Sequence, residues 1–129
     1  MQAKLDAQGS SWAQEIYRNP SGAYISGTLG AHAEKVQAGT QSPDRRDTCS
    51  YIYHVRSGTG ESEIVTAAAS TECKEAKPMV VRWGPHDTFA VPAWSRVTHR
   101  ADEGSDAYLF VLSDRPLIEK LNMYAEGGA

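Results

Sequence analysis

Hydrophobic and polar positions alternate in short runs along this chain, and the alternation is that of strands rather than helices. Its clearest stretch is Ser50 to Val55, where Tyr51, Tyr53 and Val55 fall on one face and Ile52 and His54 on the other. A period of two is what a strand with one buried face imposes. "SGTG" from Ser57 then reads as a tight turn, and "ESEIVTA" as the antiparallel partner of the strand before it. "MVVRW" predicts a strand, "GPHD" a turn, and "TFAVPAW" a further strand closed by its proline. "RVTHRA", "DEGSD" and "AYLFVLS" follow as strand, turn and strand, and "HAEKVQAG", ending at Gly39, reads as a strand with polar alternation. Asn19-Pro20 and Ser21-Gly22 mark a turn, and the polar stretch Ser70 to Lys77 a hairpin loop. Only "RPLIEKLNMY" has helical spacing, with Leu117, Leu121 and Tyr124 on one face. Residues 1–16 mix helix formers with Gly9, Ser10 and Ser11 and read as a loose arm or short helix ahead of one domain over 17–129. Short strands with a turn about every ten residues predict an all-β sandwich or barrel.

Composition narrows the classes of function. A chain of 129 residues suits a single domain with a real core. The net charge of −3 comes without a concentrated basic surface, which excludes nucleic acid as a partner. Arg45-Arg46 and the stretch Lys74 to Lys77 are too short to track phosphates, and the second is interleaved with acids. No apolar run approaches the roughly 20 residues a membrane helix needs, and Met1 to Ser11 lacks the apolar core of a signal peptide. Cys49 and Cys73 could close one disulfide at most, and with nothing else pointing to secretion the expectation is free thiols in a cytoplasmic protein.

At "SGTGESEI", followed by "GPHDTFAVPAW" and "THRA", the chain resembles a cupin, and more closely the C-terminal cupin half of gentisate dioxygenase. "YRNPSG" with "GTLGAHAEKVQAGT" resembles that family's opening segment, "TCSYIYHVRSGTGES" its first motif, and "DTFAVPAW" with "AYLFVLSDRPLIEKLNMY" its second motif and C-terminal tail. The resemblance covers about Tyr17 to Glu126. It implies a single cupin jelly-roll β-barrel with a short C-terminal helix, paired as a homodimer that protects its sheet edges. Metal-binding cupins supply two histidines and a glutamate from the first motif and a third histidine from the second. The resemblance sets those places at Arg45, Asp47, Tyr51 and Val97. Arginine does not deprotonate to coordinate a cation and valine has no donor atom, so neither a metal nor another cofactor is expected.

In the register the resemblance implies, Arg45, Asp47, Tyr51 and Tyr53 point into the barrel from one sheet, and Val97 and His99 from a neighbouring strand. Such an interior costs free energy unless its polar groups pair with each other or with a ligand. The expectation is an Arg45–Asp47 charge pair and a catalytic set of His99, Tyr51 and Asp47, with His99 as proton carrier because its ordinary pKa is nearest neutrality. Arg45 would hold an anionic oxygen of the substrate, and Tyr53, Cys49, Phe89 and Val97 would line its site. Each has a plainer role beside it: a solvated Arg45–Asp47 pair, core tyrosines, a structural histidine. His54 reads as packing, His32 and His86 as surface, and Trp83, Phe89 and Trp94 as core. The function this implies is metal-independent acid–base chemistry on a small aromatic or polyketide-like molecule: isomerisation, cyclisation, dehydration or decarboxylation. The alternatives are a non-catalytic ligand-binding cupin, a scaffold and dimer surface like the half it resembles, and a metal enzyme with an unusual set of Asp47, His99 and Cys49.

Overall fold

The computed structural model describes residue 6 and residues 11–66 and 78–126. Most of the arm, the polar stretch expected as a hairpin loop and Cys73 lie outside the described residues. Among the described residues the strands run β1 (Trp12–Ile16), β2 (Gly30–Val36), β3 (Tyr51–Ser57), β4 (Gly60–Val65), β5 (Met79–Trp83), β6 (Thr88–Val91), β7 (Arg96–Ala101) and β8 (Ala107–Ser113). A single helical turn and a half, α1 (Arg115–Lys120), follows β8. The strands form two antiparallel sheets, β1-β2-β8-β3-β6 and β5-β4-β7, and the inward faces of both build one core. The chain is an all-β jelly-roll barrel, as the density of short strands requires.

Alternation positions the interior. β3 buries Tyr51, Tyr53 and Val55 and turns Ile52 outward. β4 and β7 bury Ser62, Ile64, Val97, His99 and Ala101, while Glu61, Arg100 and their neighbours stand outside, where Glu61 and Arg100 pair across the strands. β8 lies between β2 and β3 and is buried along most of its length, which explains its nearly continuous apolar sequence.

Three local expectations are corrected. Trp12–Ile16, expected as arm or helix, is an edge strand paired with β2 from Trp12↔Val36 to Ile16↔His32. β4 does not pair with β3. Both edges of β3 are taken, by β8 and β6, so after a bulge between Val55 and Ser57 the chain turns a corner and β4 enters the other sheet between β5 and β7. Gly58 makes that corner at φ +90°, and a Cβ there would meet the backbone of Asp106 and Ala107 at 2.7 Å. At the C-terminus the helix ends at Lys120, and Asn122 adopts a left-handed φ of 56°. Leu117, Leu121 and Tyr124 therefore share no helical face. Pro116 and Ile118 are the helix residues turned to the core, while Leu121 is 57% exposed. No helix among the described residues is long and apolar enough to cross a membrane.

Candidate functional site

The segment from Gln41 to Ser50 carries three of the sequence-predicted residues, and backbone bonds strap it across the barrel. Arg45 N–H donates to the Val97 carbonyl (3.1 Å) and Val97 N–H to the Arg45 carbonyl (2.9 Å). Ser42 N–H donates to the His99 carbonyl (2.7 Å), and His99 N–H returns a bond to Ser42 Oγ (2.8 Å). The far end is tied to the tail by Thr48 N–H on the Ala125 carbonyl (3.1 Å). This strap delivers Arg45, Asp47 and Cys49 to β2, β3 and β7, the elements that carry the remaining interior groups.

Arg45 does not pair with Asp47. Its Nη1 donates to Glu34 Oε1 at 3.1 Å, and Trp12 Nε1 donates to the same oxygen at 3.2 Å. Its guanidinium lies 5.7 Å from the ring centroids of both Trp12 and Tyr51. Asp47 is satisfied separately: Tyr51 OH donates to Oδ2 and Cys49 N–H to Oδ1. Two local pairings replace the expected one because a fully buried Glu34 needs a cation more than Asp47, which has two neutral donors.

Glu34 is the residue that sequence reasoning missed, and His32, expected on the surface, is inside. Both point inward from β2, at 0% and 5% exposure. His32 Nε2 approaches Glu34 Oε2 to 3.3 Å without an aligned hydrogen bond. The signal lies in "HAEKV", where His32, Glu34 and Val36 share a face; polarity assigns the first two to the solvent side, and the fold places all three on the core side. Burial alone would raise the Glu34 carboxyl. The His32 ring, His99 and the Arg45 guanidinium outweigh it and hold the pKa down at about 2.

His99 is 1% exposed, with Nδ1 2.7 Å from Ser62 Oγ, and Trp83 Nε1 donates to that oxygen at 2.9 Å. Its ring meets the Tyr53 ring edge-on at 4.6 Å, and Tyr53 stacks on Phe89 at 5.1 Å. Burial pushes the His99 pKa down to about 4, against the opposing pull of Glu34. Held neutral through the physiological range, its ring differs from the half-charged proton carrier expected from its ordinary pKa. Burial likewise drives the Tyr51 and Tyr53 hydroxyls well above 10, Tyr51 with help from its bond to Asp47, so both keep their protons. His99 Nε2 and Tyr53 OH have no hydrogen-bond partner among the described residues.

Of the other expected residues, Val97 is buried against the strap, and Phe89 is half-buried against the core. Trp83 is core, whereas Trp94 is half-buried under the Arg46 guanidinium, with a left-handed φ of 62°. His54 faces outward and bonds Thr88 Oγ1 through Nδ1 (2.9 Å), and His86 is exposed. Cys49 is 1% exposed and burial pushes its thiol up to about 12, so it is no nucleophile. Native protein at pH 8 should leave Cys49 unlabelled by a thiol reagent at least about 100-fold longer than unfolded protein, read by mass spectrometry of its peptide. Equal labelling rates would disprove this burial.

The structure thus gathers most of the predicted residues into one interior, with little open space beside Arg45, Tyr51 and His32. The cavity that reaches Arg45, Tyr51 and His32 measures about 10 Å³, room for one water at most. A larger groove of about 310 Å³ lies on the outer face of the small sheet, and no predicted site residue lines it. The metal that metal-binding cupins hold at these places does not fit the residues present. Arg45 and Val97 cannot ligate, Tyr51 keeps its proton, and both oxygens of Asp47 are engaged. Among the described residues no three His, Cys, Asp or Glu side chains are grouped to hold a metal ion, and this includes the set Asp47, His99 and Cys49.

No family model matches the chain. It is 35% identical over 136 aligned positions to 5-aminosalicylate 1,2-dioxygenase of Comamonas sp, which covers 98% of this chain and 33% of that protein. It is also 35% identical over 81 positions to gentisate 1,2-dioxygenase 1 of Aquipseudomonas alcaligenes, covering 63% of this chain and 19% of the relative. Among solved structures, salicylate 1,2-dioxygenase from Pseudaminobacter salicylatoxidans superposes with a TM-score of 0.78 at 23% identity, over 98% of this chain and 34% of that one. A cupin-2 domain from Rhodospirillum rubrum superposes at 0.60 with 17% identity, over 81% of this chain and 60% of that one. The chain therefore spans a third or less of the curated relatives it matches. It is a cupin that resembles the C-terminal half of these dioxygenases. These relatives overturn the expectation of isomerisation, cyclisation, dehydration or decarboxylation by a metal-independent enzyme, because the named chemistry is dioxygenation of aromatic acids.

Proposed function

We propose that this cupin is the auxiliary barrel of a ring-cleaving dioxygenase for salicylate-type aromatic acids, working beside a second, metal-bearing cupin where the oxygen chemistry takes place. One observation carries the reading. Nearly the whole chain aligns with a third of a 5-aminosalicylate dioxygenase, yet the cavity that reaches its interior groups Arg45, Tyr51 and His32 measures only about 10 Å³. An aromatic substrate needs a site of roughly 300 Å³ or more. The barrel's contribution is then a rigid surface against which the metal-bearing cupin is held, a role that positions a reacting centre without touching it.

A chimera tests this. The matched third of the Comamonas enzyme is replaced by this chain, and oxygen uptake is followed with 5-aminosalicylate, gentisate and salicylate. The chimera should retain turnover of 5-aminosalicylate within about tenfold of the unaltered enzyme, while the 129-residue chain alone, supplied with ferrous ion, should consume no oxygen. A folded but inactive chimera would sink the proposal. So would turnover by the chain on its own.

A further inference from the structure

A carboxylate with no exposure to solvent must have a cation or it must take up a proton. Glu34 is such a carboxylate, and the protein supplies its cation from within. Arg45 stands at the place where the resemblance puts the first histidine of a cupin metal site, and its side chain, 21% exposed, reaches across to Glu34 Oε1. The backbone holds it there through its two bonds with Val97. Trp12 and Tyr51 present their rings to the guanidinium at equal distance, 5.7 Å, as cation–π partners do. Trp12 also donates to the oxygen that Arg45 uses, so Glu34 Oε1 is occupied twice.

We propose that the Arg45 guanidinium is the resident cation of this barrel, permanently paired with Glu34 in place of the divalent ion that metal-bearing cupins hold, so that this unit is closed to metals. A divalent ion approaching Glu34 would have to displace a fixed positive charge that cannot lose its proton. The consequence is functional. This cupin would keep its shape whatever the metal supply, and depletion would unload only a metal-bearing partner. The inference concerns this barrel's own residues and stands whether or not the chain serves a dioxygenase.

Two measurements on the full chain test it. The protein is first incubated with excess manganese, ferrous, zinc or nickel ion, desalted and assayed for metal. Less than about one tenth of an ion per chain is expected, with a melting temperature unmoved by a chelator. About one tightly held ion per chain overturns the proposal. The second is a cycle of Arg45→Met, Glu34→Gln and the double variant. Arg45→Met strands a buried charge and should lower the melting temperature on the order of 15 °C. The double variant removes both charges and should recover at least about half of that loss. If Arg45→Met does not fold, a folded double variant gives the same support in stronger form. A double variant no more stable than Arg45→Met, or one that does not fold, shows that charge compensation is not what Arg45 provides.

Discussion

Acidification from pH 7 to pH 2 should remove on the order of 6 kcal/mol of stability in two stages, enough to unfold a domain of ordinary stability before the end of the titration. The first stage belongs to His99. Burial holds its folded pKa at about 4, below its ordinary 6.5, so between those values the unfolded chain binds a proton that the folded chain refuses. Its contribution is fully present above pH 6.5 and is lost as pH falls towards 4, a change of about 3 kcal/mol. The second stage belongs to Glu34, held at about 2 against an ordinary 4.5 by His32, His99 and Arg45 acting against burial. Its contribution is present above pH 4.5 and is lost as pH falls towards 2, again about 3 kcal/mol. Urea midpoints at pH 7.5, 4 and 2.5 measure both stages. His99→Gln should flatten the upper limb and Glu34→Gln the lower. A stability that stays level between pH 7 and 4 would show that the His99 ring is not held neutral by burial.

Gly60→Ala should cost about 4 kcal/mol or more, at the top of the range for a single substitution. Gly60 opens β4, paired with Trp83 on one side and Ala101 on the other. A Cβ there would stand inside the Arg100 carbonyl oxygen and at 2.7 and 2.9 Å from the Trp83 ring. The carbonyl is backbone and cannot step aside, so the indole must move. With it goes the bond from Trp83 Nε1 to Ser62 Oγ, and with that the support of His99. Near-ultraviolet circular dichroism should therefore change together with the thermal transition. Gly22 provides the comparison: it has φ +87° and a Cβ there would meet nothing within 4 Å, so Gly22→Ala should cost only about 1 kcal/mol. Equal losses at the two positions would mean that the Arg100 and Trp83 contacts at Gly60 cost no more than the left-handed φ at Gly22.

The alternation in Ser50 to Val55 determined which side chains of β3 enter the core, because a strand with one buried face admits one register. The succession of short strands determined the all-β class, and the family resemblance implied that Arg45, Asp47, Tyr51 and Val97 share one interior. Local pattern is silent about which strand pairs with which. It put β4 beside β3, whereas the closure of two sheets put it between β5 and β7. It also left Trp12–Ile16 outside the sheet, since an edge strand with one neighbour carries a weak apolar signal. The polar interior shows the same division. The residue types Arg, Asp, Tyr and His were legible, but their partners were not, because a charge chooses its partner by distance and burial. Glu34 looked like a solvent-facing residue of "HAEKV" until the fold enclosed it. Only then did it claim Arg45 and leave Asp47 to Tyr51, so that each buried carboxylate has its own partners.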